Sequence, residues 1–180
     1  MRIRSSYLGL ATAILVLAGC AQPTPASPGP DASVDPPVTT RPGIDPACGQ
    51  PFGERPGDGL TMTGKFPATA TADQRTLAGT VTVTSSVTVK GVVGRTADVY
   101  VVHDGRVVVV PGMRDAVGVV WELTPGATKS LPAEALLAPC DGTGDRLAPG
   151  TYAVYATVVL FADDGTEIRA VGGPWPLDVR

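Results

Sequence analysis

One histidine, three cysteines and aromatic residues at 5% are what this 180-residue chain has least of. A lone His103 removes every multi-histidine metal site, and three cysteines build neither a four-cysteine zinc site nor a cysteine-ligated iron–sulfur cluster. No apolar run reaches the roughly 20 residues that a spanning helix needs. Positive charge is not in excess either: 14 basic against 17 acidic residues leave a net charge of −3, more acidic still without Arg2 and Arg4. That balance gives no footing for sequence-independent nucleic-acid binding. His103 beside Asp104 suggests a catalytic dyad, but no Gly-x-Ser-x-Gly elbow or Ser-x-x-Lys motif supplies the nucleophile. The acidic loops Asp141-Gly142-Thr143-Gly144-Asp145 and Asp163-Asp164-Gly165-Thr166-Glu167 lack EF-hand ligand spacing, and Asp-Gly turn chemistry accounts for both without calcium. A copper(I) site would have to draw on His103, Met62 and Met113, a sparse set with no methionine-rich clustering. The expectation is a protein that is not an enzyme and carries no cofactor or metal.

What is present begins with an address. Arg2 and Arg4 form a positive n-region, Leu8 to Leu17 is an apolar run of signal-peptide length, and small residues follow at Ala18 and Gly19. Leu17-Ala18-Gly19-Cys20 resembles the bacterial lipobox, whose cysteine is lipidated before the signal is removed. The resemblance implies that Cys20 becomes the first residue and carries diacylglycerol on its thiol. Two or more acyl chains, at about 0.8 kcal/mol per buried methylene, give stable anchoring. The expected location is therefore the extracytoplasmic face of the cell membrane, lipid-anchored and not spanning.

Residues 21–47 contain eight prolines among Ser, Thr, Ala, Asp and Gly. Such a stretch lacks the apolar mass to offset its ordering entropy and reads as a disordered, partly extended linker. The organisation expected is a signal peptide over 1–19, lipidated cysteine and linker over 20–47, and one domain over 48–180. With Cys20 lipidated, Cys48 and Cys140 remain, and an oxidising compartment lets them pair. Closing so long a loop is worth about 4–5 kcal/mol in the chain-entropy model.

The domain reads as all-β. Leu60 to Phe66 alternates apolar and polar residues, and Leu77 to Lys90 sets valines on one parity against threonines on the other, with Ser85-Ser86 dividing the run. Asp104-Gly105 within Val99 to Val110, and Asp164-Gly165 between Thr151 to Phe161 and Glu167 to Val171, are hairpin signals. Thr124-Pro125-Gly126 makes a turn between Val117 to Leu123 and Ala127 to Leu131, and Ala133 to Leu137 is expected to form a turn of helix. The fold class expected is a single antiparallel immunoglobulin-like β-sandwich. Leu147-Ala148-Pro149-Gly150-Thr151-Tyr152-Ala153-Val154 resembles the Leu-x-Pro-Gly-x-Tyr-x-Val segment of many bacterial immunoglobulin-like domains, which implies a tyrosine corner at Tyr152. With Leu123-Thr124-Pro125-Gly126 upstream, the order is similar to domains of the BsuPI type, named for an intracellular proteinase inhibitor. The whole chain also looks like small actinobacterial lipoproteins.

Some strands are apolar on both parities. Tyr152, Val154, Ala156, Val158 and Leu160 share one, yet Ala153, Tyr155, Val159 and Phe161 occupy the other, and Tyr100 alternates with Val99 and Val101. A strand with one wet face shows polar residues there. Tyr100, Tyr155, Val159 and Phe161 therefore form a candidate partner surface, unless the 131–139 loop or the Trp175 segment covers them. The function expected is an anchored, non-catalytic protein-binding or structural module, with inhibition of an extracytoplasmic protease as the alternative and a copper or carbohydrate carrier behind both. Oligomeric state has no sequence signal. Replacing Cys20 (Cys20→Ala) is expected to move the protein from the detergent phase to the aqueous phase or to accumulate precursor. Unchanged detergent partitioning would contradict the anchor.

Overall fold

The computed structural model describes residues 46–53, 59–113 and 117–180. Cys20, the signal peptide over 1–19 and the linker up to residue 45 lie outside the described residues. Ten strands follow one another: β1 Leu60–Lys65, β2 Thr69–Ala70, β3 Thr76–Ser85, β4 Val89–Gly94, β5 Asp98–His103, β6 Arg106–Val109, β7 Gly118–Leu123, β8 Thr128–Leu136, β9 Gly150–Ala162 and β10 Glu167–Val179. They form an all-β, predominantly antiparallel sandwich. One sheet has the order β1-β3-β8, the other β2-β10-β9-β4-β7, with β5 pairing β9 and β6 pairing β5. Only the two-residue β2 runs parallel to its neighbour, β10.

Valine/threonine alternation sets the inner and outer faces. In β3, Leu77, Val81 and Val83 are buried while the alternate threonines stay partly or wholly exposed. They face Val99, Val101, Val154, Ala156, Val158, Leu160 and Leu177 of the other sheet in one continuous core. Ser85-Ser86 does divide the long run. The buried Ser85 hydroxyl donates to the Val87 carbonyl at 2.6 Å as the chain leaves β3 for β4. Both Asp-Gly signals are hairpins. Asp104 and Gly105 have φ of 49° and 74°, the paired positive values of a tight turn whose twist matches its strands. At the Thr124-Pro125-Gly126 turn the chain crosses from one sheet to the other, the Ala127 amide donating to the Thr124 carbonyl at 2.9 Å.

Ala133 to Leu137 is not helical. Residues 133–136 belong to β8, paired with β3 from Thr76↔Leu136 to Thr84↔Thr128. Leu131, Ala133, Ala135 and Leu137 are buried, whereas Pro132, Glu134 and Leu136 face out. The period is two, and alanine's helical propensity yields to the ladder and the core. Pro132, unable to donate, sits on an edge strand, where its carbonyl accepts from the Ala97 amide at 2.9 Å.

The disulfide joins Cys48 to Cys140 across 92 positions. The tyrosine corner is present too, the Tyr152 hydroxyl donating to the Ala148 carbonyl at 2.7 Å. Trp175 does not cover the outer sheet face. It fills the gap between β1 and β10, its ring 5.1 Å from that of Phe66 and seated against Gly64 and Gly172. A Cβ on Gly64 would stand 2.5 Å from the Trp175 ring. Gly64→Ala is therefore expected to cost about 1–3 kcal/mol in urea unfolding, as overpacking does. Gly112→Ala, with nothing within 4 Å, should stay within about 0.5 kcal/mol of the parent; equal effects at the two sites would refute the close-packing account.

Candidate functional site

The outward parity of β9 passes through two environments. Along residues 153–157 its partner is β5, and along 160–162 it is β4. The first stretch is covered. Tyr100 is 1% exposed, and Tyr155 is half-buried, because Phe52 lies over both with ring centroids 5.3 Å and 4.3 Å away. Residues 46–53 form a strap along the free edge of β6. The Gly49 amide donates to the Val107 carbonyl at 2.8 Å, the Val107 amide to the Gln50 carbonyl at 2.9 Å, and Arg106 Nη1 to the Gly49 carbonyl at 2.9 Å. Cys140 holds the strap from the other side, its own amide donating to the Val108 carbonyl at 2.9 Å. Neither the 131–139 segment nor Trp175 does this covering; a single phenylalanine just after the first disulfide cysteine does.

The second stretch is open. Val92 is in register with Phe161 on one side and Val120 on the other. Phe161 is 51% and Val120 66% exposed, so an apolar line crosses three strands to the edge strand β7. Lys90 and Glu122, 3.0 Å apart, pair on the same face, and Glu122 holds the ammonium above its ordinary pKa. Of the four expected surface residues, Phe161 belongs to the open stretch, Val159 is half-buried between the two stretches, Tyr100 is interior and Tyr155 is half-covered.

Between the two stretches, where β9 changes partner, β4 ends at Gly94 and β5 begins at Asp98. The parting leaves a groove of about 730 Å³, within the roughly 300–1,000 Å³ typical of small-molecule sites. Arg95 and Asp98 come from the β4–β5 connection and the start of β5, Thr157 and Phe161 from β9, and Glu167 and Arg169 from β10. Arg169 and Glu167 lie 3.6 Å apart. Thr157 is 3% exposed, and its hydroxyl oxygen is buried with no hydrogen-bond partner. An oxygen left so costs about 1–3 kcal/mol. Sequence reading missed this group, since Arg95, Asp98 and Arg169 form no linear motif. One signal was available: Thr157 is the polar residue in the otherwise apolar outward series Ala153, Tyr155, Val159, Phe161.

The remaining candidates do not assemble into sites. His103 Nδ1 donates to the Thr151 carbonyl at 3.0 Å, its Nε2 lies 3.5 Å from Asp104, and its ring packs on Tyr152 at 4.8 Å. These contacts tie a hairpin end to β9. Met62 packs at Gly172, opposite Ala156, whereas His103 lies near Gly150, roughly 20 Å away along β9 at 3.4 Å per residue. Met113 is fully exposed. The described residues contain no group of three or more His, Cys, Asp or Glu able to hold a metal ion. In the two acidic loops the carboxylates cap turns: Asp141 Oδ1 accepts from the Thr143 amide and hydroxyl at 2.9 and 2.7 Å, and Asp164 Oδ1 from the Thr166 amide at 2.9 Å.

No protein-family model matches the chain, and no curated relative matches it in sequence. Among solved structures it is similar to a β-glucosidase from Listeria innocua in complex with glucose, at 15% identity and a TM-score of 0.35 over 67% of this chain. It spans 16% of that enzyme's length. It is also similar to the CARDB domain of the PF1109 protein from Pyrococcus furiosus in complex with di-metal ions, at 17% identity and TM-score 0.36, over 67% of this chain and 91% of that one. The Bacillus subtilis sporulation control protein Spo0M follows at 15% identity and TM-score 0.36, over 68% of this chain and 49% of that one. At these values the likenesses carry no functional inference.

The Thr143 hydroxyl and amide hold the Asp141 carboxyl below the ordinary aspartate pKa, and the Thr166 amide and hydroxyl do the same for Asp164. A carboxyl depressed in the fold stabilises it at neutral pH, and that contribution fades as pH falls through the depressed value. Carbon-13 titration should place both midpoints below those of unrestrained aspartates, and Thr143→Ala should raise that of Asp141. Unshifted midpoints would remove the capping role.

Proposed function

We propose that this protein is a surface lipoprotein, anchored through acylated Cys20, whose sandwich serves as a non-catalytic binding module on the extracytoplasmic side. The observation that carries the reading is the open stretch of the β9 face, where Val120, Val92 and Phe161 are exposed in register beside a groove that contains charged side chains. Exposed apolar residues scattered singly need no explanation, but an aligned set on a rigid sheet next to a concave polar site has the makeup of a recognition surface. Nothing need move to present it, because β4, β7 and β9 are hydrogen-bonded into one sheet. The strap concentrates recognition here by covering the neighbouring tyrosines.

The test is retention of components from a detergent-solubilised membrane and wall extract on the immobilised mature protein. Phe161→Asp and Val120→Asp should each reduce specific retention at least ten-fold while leaving the unfolding midpoint near that of the parent, both side chains being surface-exposed. Ser130→Asp, on the outer face of the opposite sheet, should leave retention unchanged. Equal retention by all three variants would overturn the reading.

A further inference from the structure

We propose that the groove at the β5-to-β4 change of partner binds a neutral polyhydroxylated ligand, a short carbohydrate, with its hydroxyls on the charged side chains and its apolar face on Phe161. This deepens the binding-module reading and rests on it. The charges around the groove balance in kind. Arg95, Arg169, Asp98 and Glu167 all line one concavity, contributed by the β4–β5 connection, β5 and β10, with Arg169 and Glu167 ion-paired at 3.6 Å. An anion entering it meets two carboxylates, and a cation meets two guanidiniums. A ligand whose groups are both donors and acceptors suits all four, because carboxylates accept from its hydroxyls and guanidiniums donate to them.

The apolar part of the lining fits the same class. Phe161 stands half-exposed at the groove, and half-buried Val159 lines it as well. A sugar ring is polar at its rim and carries C–H bonds on its faces, the surface that an aromatic ring's negative face attracts. Polar and apolar side chains thus meet a ligand that is itself divided between the two.

The buried hydroxyl gives the independent observation. Thr157, on the groove floor, has an oxygen without a hydrogen-bond partner. Rotation about χ1 by one staggered step carries the oxygen out of its buried position, and a rotamer that points it into the groove meets a bound hydroxyl. The same group therefore burdens the free fold and rewards the bound one. Thr157→Val keeps the shape and removes the oxygen.

The experiment uses the mature protein and an array of neutral gluco-, galacto-, manno- and N-acetylglucosamine oligosaccharides, with uronate-bearing and sulfated oligosaccharides beside them. Calorimetry then follows on the oligosaccharide that binds. A neutral oligosaccharide should bind and shift the amide resonances of Thr157, Val159 and Phe161. Thr157→Val should weaken binding about ten-fold, the worth of one hydrogen bond, while leaving the unfolding midpoint unchanged or raised. Arg95→Ala, at an exposed position, should weaken it similarly. Preference for charged glycans over neutral ones overturns the inference, as does full affinity in both variants. If no oligosaccharide binds but the extract still yields a component lost in Phe161→Asp, the carbohydrate inference falls and the binding-module reading stands. If that component is also absent, both fall.

Discussion

The 13-residue strand β9 is apolar on both faces, and most of the sheet that contains it is arranged around that constraint. On its inner parity Val154, Ala156, Val158 and Leu160 make the centre of the core. Its two edges are taken by β10 along nearly the whole length and by β5 then β4 along the other side. Only the outer parity remains, and no single element covers all of it. Phe52 covers the part beside β5, leaving the part beside β4 open. A strand this hydrophobic on a wet face carries an association hazard, and its exposure over a short stretch is the feature on which the proposed binding role rests.

Strand positions, both Asp-Gly hairpins, the division at Ser85-Ser86, the Tyr152 corner and the Cys48–Cys140 pair were legible because each is a local pattern. Alternation of period two, positive-φ turn residues and a count of cysteines need no knowledge of distant partners. The failure at Ala133 to Leu137 has the opposite origin. An alanine-rich segment is intrinsically suited to helix, and only its pairing with β3 and the burial of every second side chain make it a strand. Two-sided apolarity of β9 was equally visible, but its cover was not. Phe52 lies a hundred positions from Tyr155 in a segment without periodicity, placed by a disulfide and three hydrogen bonds to one short strand. The groove escaped for the same reason. Arg95, Asp98, Thr157 and Arg169 become neighbours only because β9 exchanges one partner strand for another.

That exchange is an economical way to make a concavity in a flat layer. Two strands that share one neighbour but not each other must part, and where they part the sheet surface dips. The residues at the parting are strand ends and a short connection, where charged and polar side chains are tolerated, while the floor is uninterrupted β9. A strand floor under walls made of strand ends and a connection is the kind of scaffold on which recognition is commonly carried.

The disulfide also decides how force would travel through the molecule. For a chain held at its N-terminal end and pulled by whatever it binds, tension arrives at Cys48 and can pass directly to Cys140, leaving everything between the two cysteines, including eight whole strands and the strap residues after Cys48, off the load path. From Cys140 it needs only the short segment 141–149 to reach β9, the floor of the groove. On the proposed reading the attachment and the open face are thus mechanically adjacent, and most of the domain could be stretched only after a covalent bond had broken.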